Sequence, residues 1–269
     1  MIKTAVFTNF PMSQQVLGLS FLAVALAGPA QADQEQPGAT PFRPTVTSGA
    51  NISTPGWLEL EFGGQRLGGN GADQRNSWPY LLKYSVNERF ALLLGGDAYV
   101  GVAPAQSVAL SGQGDTTLTL KYRAPEVLEG SSFGLEATVK LPTAMDGIGN
   151  SARDYSVKAI YGIDLPNQFH LDTNLIATRL GAVATNQGRY QWAWAAAVSR
   201  PFGDKWTLAG DLSGTGQAGS PSTAQLLSAL SYALTRRVVL DAGFAAGLNS
   251  STPSFTVFAG MTMLIGKIN

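Results

Sequence analysis

His170 stands two residues before Asp172, and in an extended chain that spacing puts an imidazole and a carboxylate on one face. An imidazole held in this way serves as the base of a hydrolase when a nucleophile lies within hydrogen-bond reach and a third group orients the ring. His170 is the one histidine of the 269 residues, and His170-Leu171-Asp172 has no serine at the adjacent position on that face. One histidine among scattered carboxylates also makes a poor zinc site. The glycine text Gly68-Gly69-Asn70-Gly71 follows no βα unit that would make it a phosphate cradle. The sequence therefore reads as a non-enzyme, with no catalytic, cofactor-binding or metal-binding residues assigned.

A second set of charged residues is more promising. Lys83, Lys121, Arg123, Lys140, Lys158 and Lys205, with Glu59, Glu61, Asp97, Glu136, Asp172, Asp211 and Asp241, all fall opposite apolar neighbours in alternating text. Gathered on the inside of a closed sheet they would form the wall of a hydrated passage. Cations and anions are nearly balanced among them, so strong ion selectivity is not expected. Lys121, Arg123, Glu136, Lys140 and Lys158 sit on three consecutive strands and are the first candidates for that wall. Lys83, Asp172, Asp211 and Asp241 complete it.

The elements that position these charges are strands. In Gly114–Pro142, Thr116, Leu118, Leu120 and Tyr122 alternate with Thr117, Thr119, Lys121 and Arg123, and Phe133, Leu135, Ala137, Val139 and Leu141 with Gly134, Glu136, Thr138 and Lys140. A period of two puts successive side chains on opposite faces. The same reading gives twelve strands: Trp57–Phe62, Trp78–Ser85, Phe90–Val102, Asp115–Arg123, Ser132–Leu141, Asp154–Asp164, Phe169–Arg179, Tyr190–Ser199, Lys205–Leu212, Ala224–Leu234, Val238–Ala246 and Phe255–Ile265. Short turns alternate with longer polar stretches, among them Gly63–Ser77, Ala103–Gly114, Thr143–Arg153, Gly181–Arg189 and Ser213–Thr223. Short periplasmic turns and longer extracellular loops are the asymmetry of an outer-membrane barrel.

Aromatic placement decides which face meets lipid. Tyr84, Phe90, Tyr122, Phe133, Tyr161, Phe169, Trp206 and Tyr232 fall on the apolar face at the short-turn ends; Tyr80, Tyr155, Tyr190 and Trp192 fall on it at the long-loop ends. Two aromatic rims around a Leu/Val/Ala band form the interfacial girdle of a transmembrane barrel. The inverse arrangement, a soluble barrel with the apolar band inside, has no reason to sort aromatics to both rims. Twelve strands also make a barrel wider than side chains readily fill.

Composition bounds the rest. Eighteen basic and 18 acidic residues balance, which gives no argument for nucleic acid, and the absence of cysteine excludes disulfides. Val16–Ala27 is an apolar run too short to span a bilayer, followed by the small residues Gly28–Ala32, so residues 1–32 read as a signal peptide exporting the chain across the inner membrane. Residues 33–54, rich in Pro, Gly, Thr and Gln, read as a flexible segment and a candidate plug, and residues 55–269 as the barrel.

The text DTTLTLKY at Asp115–Tyr122, the strand ending Lys140-Leu141-Pro142, and Tyr161-Gly162 leading through a proline turn to Phe169 resemble the outer-membrane transporters of the MetA pathway of phenol degradation. The resemblance covers most of Trp57 to Ile265. It implies an outer-membrane barrel of Gram-negative bacteria that passes small hydrophobic or aromatic compounds, with no catalytic residues to carry over.

The reading is thus an all-β, transmembrane, antiparallel up-and-down barrel of about twelve strands in the cell outer membrane. It would be monomeric, with outer-membrane lipid and a small solute as partners, and would pass solutes passively through a mixed-charge lumen without a cofactor. Two states of that lumen stay open: a narrow hydrated channel, placed first, and a lumen closed by ion pairs or by residues 33–54. The alternative function is a closed scaffold displaying its extracellular loops for adhesion or binding.

Overall fold

A computed structural model describes residues 37–68, 74–103 and 108–268. The expected signal peptide, the start of the segment 33–54, and Gly69, Asn70 and Gly71 of the glycine text lie outside these residues. The strands are β1 (Trp57–Gly68), β2 (Gln74–Ser85), β3 (Phe90–Ala103), β4 (Leu110–Gly112), β5 (Thr116–Arg123), β6 (Ser131–Leu141), β7 (Asp154–Leu165), β8 (Phe169–Arg179), β9 (Tyr190–Phe202), β10 (Trp206–Gln217), β11 (Ser220–Thr235), β12 (Val238–Gly247) and β13 (Phe255–Lys267). Consecutive strands pair antiparallel, β3 pairing with both the short β4 and β5, and β13 returns to pair with β1. The result is a closed barrel of twelve staves. Closure leaves no sheet edge, which is what allows a strand structure to sit in lipid where no water can satisfy a free N–H or C=O.

Alternation turns this ring inside out relative to a soluble barrel. Leu92, Leu118, Leu120, Leu135, Val157 and Leu175 are exposed on the outer face, while Glu59, Lys83, Lys121, Asn174 and Asp211 are almost fully buried inside. The aromatic residues of the short-turn ends meet across strands. Phe90 opposes Tyr122 with ring centroids 5.1 Å apart, Phe133 opposes Tyr161 at 4.9 Å, and Trp206 opposes Tyr232 at 4.5 Å. Offset and tilted pairs at this separation contribute about 0.5–1.5 kcal/mol beyond area burial.

Three details differ from the sequence reading. The stretch Ala103–Gly114 contains an extra strand, β4, paired with the outer end of β3. The hairpins β1–β2 and β10–β11 run well into the stretches read as the long loops Gly63–Ser77 and Ser213–Thr223, leaving Ala218 and Gly219 as the tip of the second. Those strand ends carry polar side chains on the inner face, where Gln65 donates to Ser77 at 2.9 Å and Thr215 meets Thr223 at 2.7 Å. Apolar alternation stops at the edge of the lipid band, but backbone pairing continues beyond it. Lys205, read as the first inward residue of its strand, lies instead in the exposed β9–β10 turn, with Nζ 5.8 Å from the Tyr232 ring centroid.

The lipid-facing band gives a direct test. Leu120→Lys on β5 places a charge in the apolar belt and is expected to cost about 2–4 kcal/mol near the bilayer midplane. Urea unfolding in lipid vesicles measures this, with the inward neighbour Thr119→Ser as a near-neutral comparison.

Candidate functional site

The inward charges do not face empty lumen. Residues 37–54 run inside the barrel and take up many of their hydrogen bonds. On β2, Lys83 is fully buried between the β1 carboxylates, paired with Glu59 and 2.6 Å from Glu61. Its ammonium also donates to Thr40 O at 2.6 Å, while the amides of Thr40 and Phe42 donate to Glu59 and Glu61 at 2.9 and 2.6 Å. A buried lysine is tolerated only when its charge is paired and its remaining donors are used. Two wall carboxylates and one carbonyl of the segment meet that demand together.

A second cluster spans three staves. In register, Lys121 on β5 opposes Glu136 on β6, and Glu136 opposes Lys158 on β7. Glu136 bridges the two lysines at 3.3 and 2.7 Å. The segment completes this cluster as well: Lys121 donates to Gly49 O at 2.6 Å and Lys158 to Ser48 Oγ at 3.1 Å. Phe42 sits between the clusters, with Lys83 Nζ 4.0 Å and Lys121 Nζ 3.8 Å from its ring centroid. Cation–π contacts of this kind are worth about 0.5–2 kcal/mol each. One aromatic ring thus couples both lysines to the segment.

Other staves hold the segment through different chemistry. Arg43 makes a two-pronged pair with Asp241 on β12 at 3.0 and 3.1 Å. Its guanidinium lies over Gly63 and Gly260, a cross-strand pair of β1 and β13; a Cβ on Gly260 would stand 2.7 Å from it. Thr47 donates from both its amide and hydroxyl to Asp211 on β10, at 2.8 and 2.6 Å. Ser48 and Asn174 on β8 exchange two hydrogen bonds of 2.8 Å, and Ser53 Oγ meets Ser85 Oγ at 3.1 Å just before β1 begins.

The segment separates two spaces. A cavity of about 530 Å³ opens toward the short-turn end, between Phe42, Arg43 and Thr45 and the wall residues Arg123, Asp164, His170 and Asp172. A second, of about 410 Å³, lies against the β2, β3 and β5–β8 walls and shares Phe42, Arg43 and Thr45 as its floor. Its lining includes Val46, Leu81, Leu93 and Ile176, apolar side chains in an otherwise polar interior.

Residues 23–265 match the model of the family described as "Putative MetA-pathway of phenol degradation". The chain belongs to this family. Among solved structures, it is similar to the COG4313 outer membrane channel from Pseudomonas putida F1, with 17% identity over 87% of this chain and 100% of that one and a TM-score of 0.61. It is also similar to the KdgM porin, at 9% identity over 77% and 99% of the two chains with a TM-score of 0.56, and to the NanC porin, at 7% over 77% and 100% with 0.54. No curated protein matches. At these identities the structures show the fold: this MetA-pathway family member is built as outer-membrane channels are.

Within this family member, the expected wall residues divide into separate groups. Lys83, Lys121, Glu136, Lys158, Asp211 and Asp241 contact the segment directly or pair with a residue that does. Lys140 lies toward the long-loop end instead, held at 3.0 Å by both Asp115 and Asp154. Arg123 faces the cavity at the short-turn end and makes no ion pair among the described residues. Asp172 belongs with His170, whose Nδ1 is 2.6 Å from Asp164 and whose Nε2 is 3.3 Å from Asp172. Ser199 on β9 opposes His170 in register, a cross-strand serine that reading along one strand overlooks. Nδ1 is hydrogen-bonded to Asp164 and Nε2 faces the Asp172 carboxylate, so the ring is engaged by acids rather than poised on the serine.

Sequence reasoning missed Phe42, Arg43, Thr47 and Asn174. Gly260 matters for the same contact, because the Arg43 guanidinium lies over it. Gly260→Val should therefore displace Arg43 as effectively as Arg43→Ala removes it. Each charged hydrogen bond lost is worth about 1.5–3 kcal/mol, so release of the segment becomes roughly tenfold or more frequent in either variant. Limited proteolysis of residues 37–54 reports that release, while an unchanged heat-dependent gel shift shows an intact barrel.

Proposed function

We propose that this protein is an outer-membrane channel for small solutes of hydrophobic or aromatic character, closed at rest by its N-terminal segment. Residues 1–32 export the chain, and the barrel then works as a monomer seated in lipid by its aromatic rims. The observation that carries this reading is the partition of the interior by Phe42–Ser48 into two cavities. A barrel built as a plain hydrated pore has no use for a strap tied to both walls; a gated passage does.

The chemistry of the outer cavity supports the solute class. Leu81, Leu93, Ile176 and Val46 offer an apolar surface next to the hydroxyls of Thr119, Thr138 and Ser156. Small pockets of this kind, apolar with a few polar groups, suit a ring bearing one hydroxyl better than a sugar or an ion. The family's link to phenol degradation points the same way. Passage requires the segment to loosen from Lys83, Lys121 and Asp241, after which the solute enters the cavity at the short-turn end. No energy source is needed, because each hydrogen bond released can be replaced by one to water. A scaffold displaying loops is less well supported, since the β10–β11 hairpin stays strand almost to its tip.

Planar-bilayer recording tests the gate. The full chain should conduct weakly, and deletion of residues 33–54 should raise conductance several-fold; silence in both forms would overturn the channel reading. Leu93→Glu tests the solute class. Vesicle uptake of phenol should fall in that variant while small-ion conductance is unchanged or higher.

A further inference from the structure

The outer surface holds a feature that the channel reading leaves unused. Leu92, Leu94, Leu118, Leu120, Val139 and Val157, on β3, β5, β6 and β7, line an apolar hollow of about 880 Å³ on the lipid-facing wall. Four strands at about 4.8 Å spacing make a face roughly 15 Å across, wide enough for several acyl chains side by side. At the long-loop end the hollow is bounded by Tyr155, Arg179 and Tyr190, which oppose one another in register on β7, β8 and β9.

Arg179 is one of three arginines gathered there. Arg189 precedes Tyr190 and its guanidinium donates to Gly181 O at 3.2 Å; the exposed Arg153 lies against Gly181 through its backbone. None of the three has a carboxylate partner among the described residues. The nearest acid in sequence, Asp154, points inward and is occupied by Lys140 and the Gly181 amide. Asp146 is carried away toward β4 by the hydrogen bond of Met145 N to Gln113 O at 3.0 Å. Arg179 thus borders the apolar hollow beside two tyrosines, with Arg153 and Arg189 on the adjoining long-loop segments and no ion pair to any of the three among the described residues.

We propose that this face binds a phosphorylated, multiply acylated glycolipid of the outer leaflet. The acyl chains lie in the Leu/Val hollow, and the phosphates meet Arg153, Arg179 and Arg189. Guanidinium groups suit the site because they take phosphate oxygens two at a time. Tyrosine belongs at this depth because its ring is apolar and its hydroxyl is wet. The width of the hollow favours a lipid with several chains over a two-chain phospholipid. The inference rests on the outer-membrane reading but not on solute passage.

The test uses the full chain in detergent micelles, titrated with lipid A, with dephosphorylated lipid A and with phosphatidylglycerol, bound lipid being counted by native mass spectrometry. Lipid A should bind best, and Arg179→Gln should weaken it roughly tenfold, the scale of one charged hydrogen bond. Arg153→Gln with Arg189→Gln should weaken it further. Arg200→Gln removes one charge at the opposite end, beside Phe169 at 5.1 Å, and should leave binding unchanged. Equal binding of phosphatidylglycerol, equal binding of the dephosphorylated form, or an effect of Arg200→Gln matching that of Arg179→Gln would overturn the proposal. Bilayer conductance of the same variants reports on the channel reading separately.

Discussion

Everything in this molecule follows from closing a sheet on itself in lipid. Once β13 pairs with β1, every stave has its backbone bonds made, and the apolar side chains go outward because the solvent there is hydrocarbon. The period of two then has no choice about the other face. It sends Glu59, Glu61, Lys83, Lys121, Glu136, Asp211 and Asp241 into a space only a few side chains wide. Charges crowded so closely must find partners, and the wall supplies many of them by register, as in Lys121–Glu136–Lys158. The remaining donors and acceptors are met by the N-terminal segment.

This explains why the barrel was legible in the sequence, while the segment was legible only as a candidate plug without its contacts. Strand alternation writes itself into every second residue, and the aromatic pairs Phe90–Tyr122 and Phe133–Tyr161 mark a rim because lipid interfaces demand amphipathic rings. The ends of the hairpins were harder. Gln65, Ser77, Thr215 and Thr223 continue the pairing where no lipid remains to impose an apolar partner, so the signal fades before the strand does. Nothing in the apolar pattern announces β4 either, since its three residues pair with the end of β3 beyond the band, above the β5 pairing.

The contacts of the segment are silent for a different reason. It binds largely through main-chain groups: Thr40 O and Gly49 O accept from lysines, and the amides of Thr40, Phe42, Thr47 and Ser48 donate to carboxylate or amide oxygens. Main-chain groups are the same in every residue, so Pro, Gly, Thr and Ser text that reads as flexible is equally suited to lie across a polar wall. Phe42 and Arg43, with the hydroxyls of Thr47, Ser48 and Ser53, bring side-chain chemistry, and their counterparts lie far off in sequence on β2, β5, β7, β10 and β12. The inward charges were legible as a wall, but their sorting into segment anchors, a mouth cluster at Lys140 and a histidine site at His170 depends on height along each stave.

The same main-chain character bears on how the lumen opens. A side-chain plug packed in a dry core would have to create a cavity in order to leave. A strap held by hydrogen bonds in a polar interior exchanges each bond for one to water, at a net cost of about 0.5–1.5 kcal/mol apiece. The charged anchors cost more, because releasing Arg43 strands Asp241, and withdrawing Thr40 removes one partner of the fully buried Lys83. In the proposed gate those two sites, separated by β1 and β13, set the threshold, and the hydroxyl contacts of Ser48 and Ser53 guide the chain back. In the proposed channel, a solute settling against Leu81 and Leu93 would touch Phe42, the ring shared by Lys83 and Lys121, and so would act where the strap is tightly held.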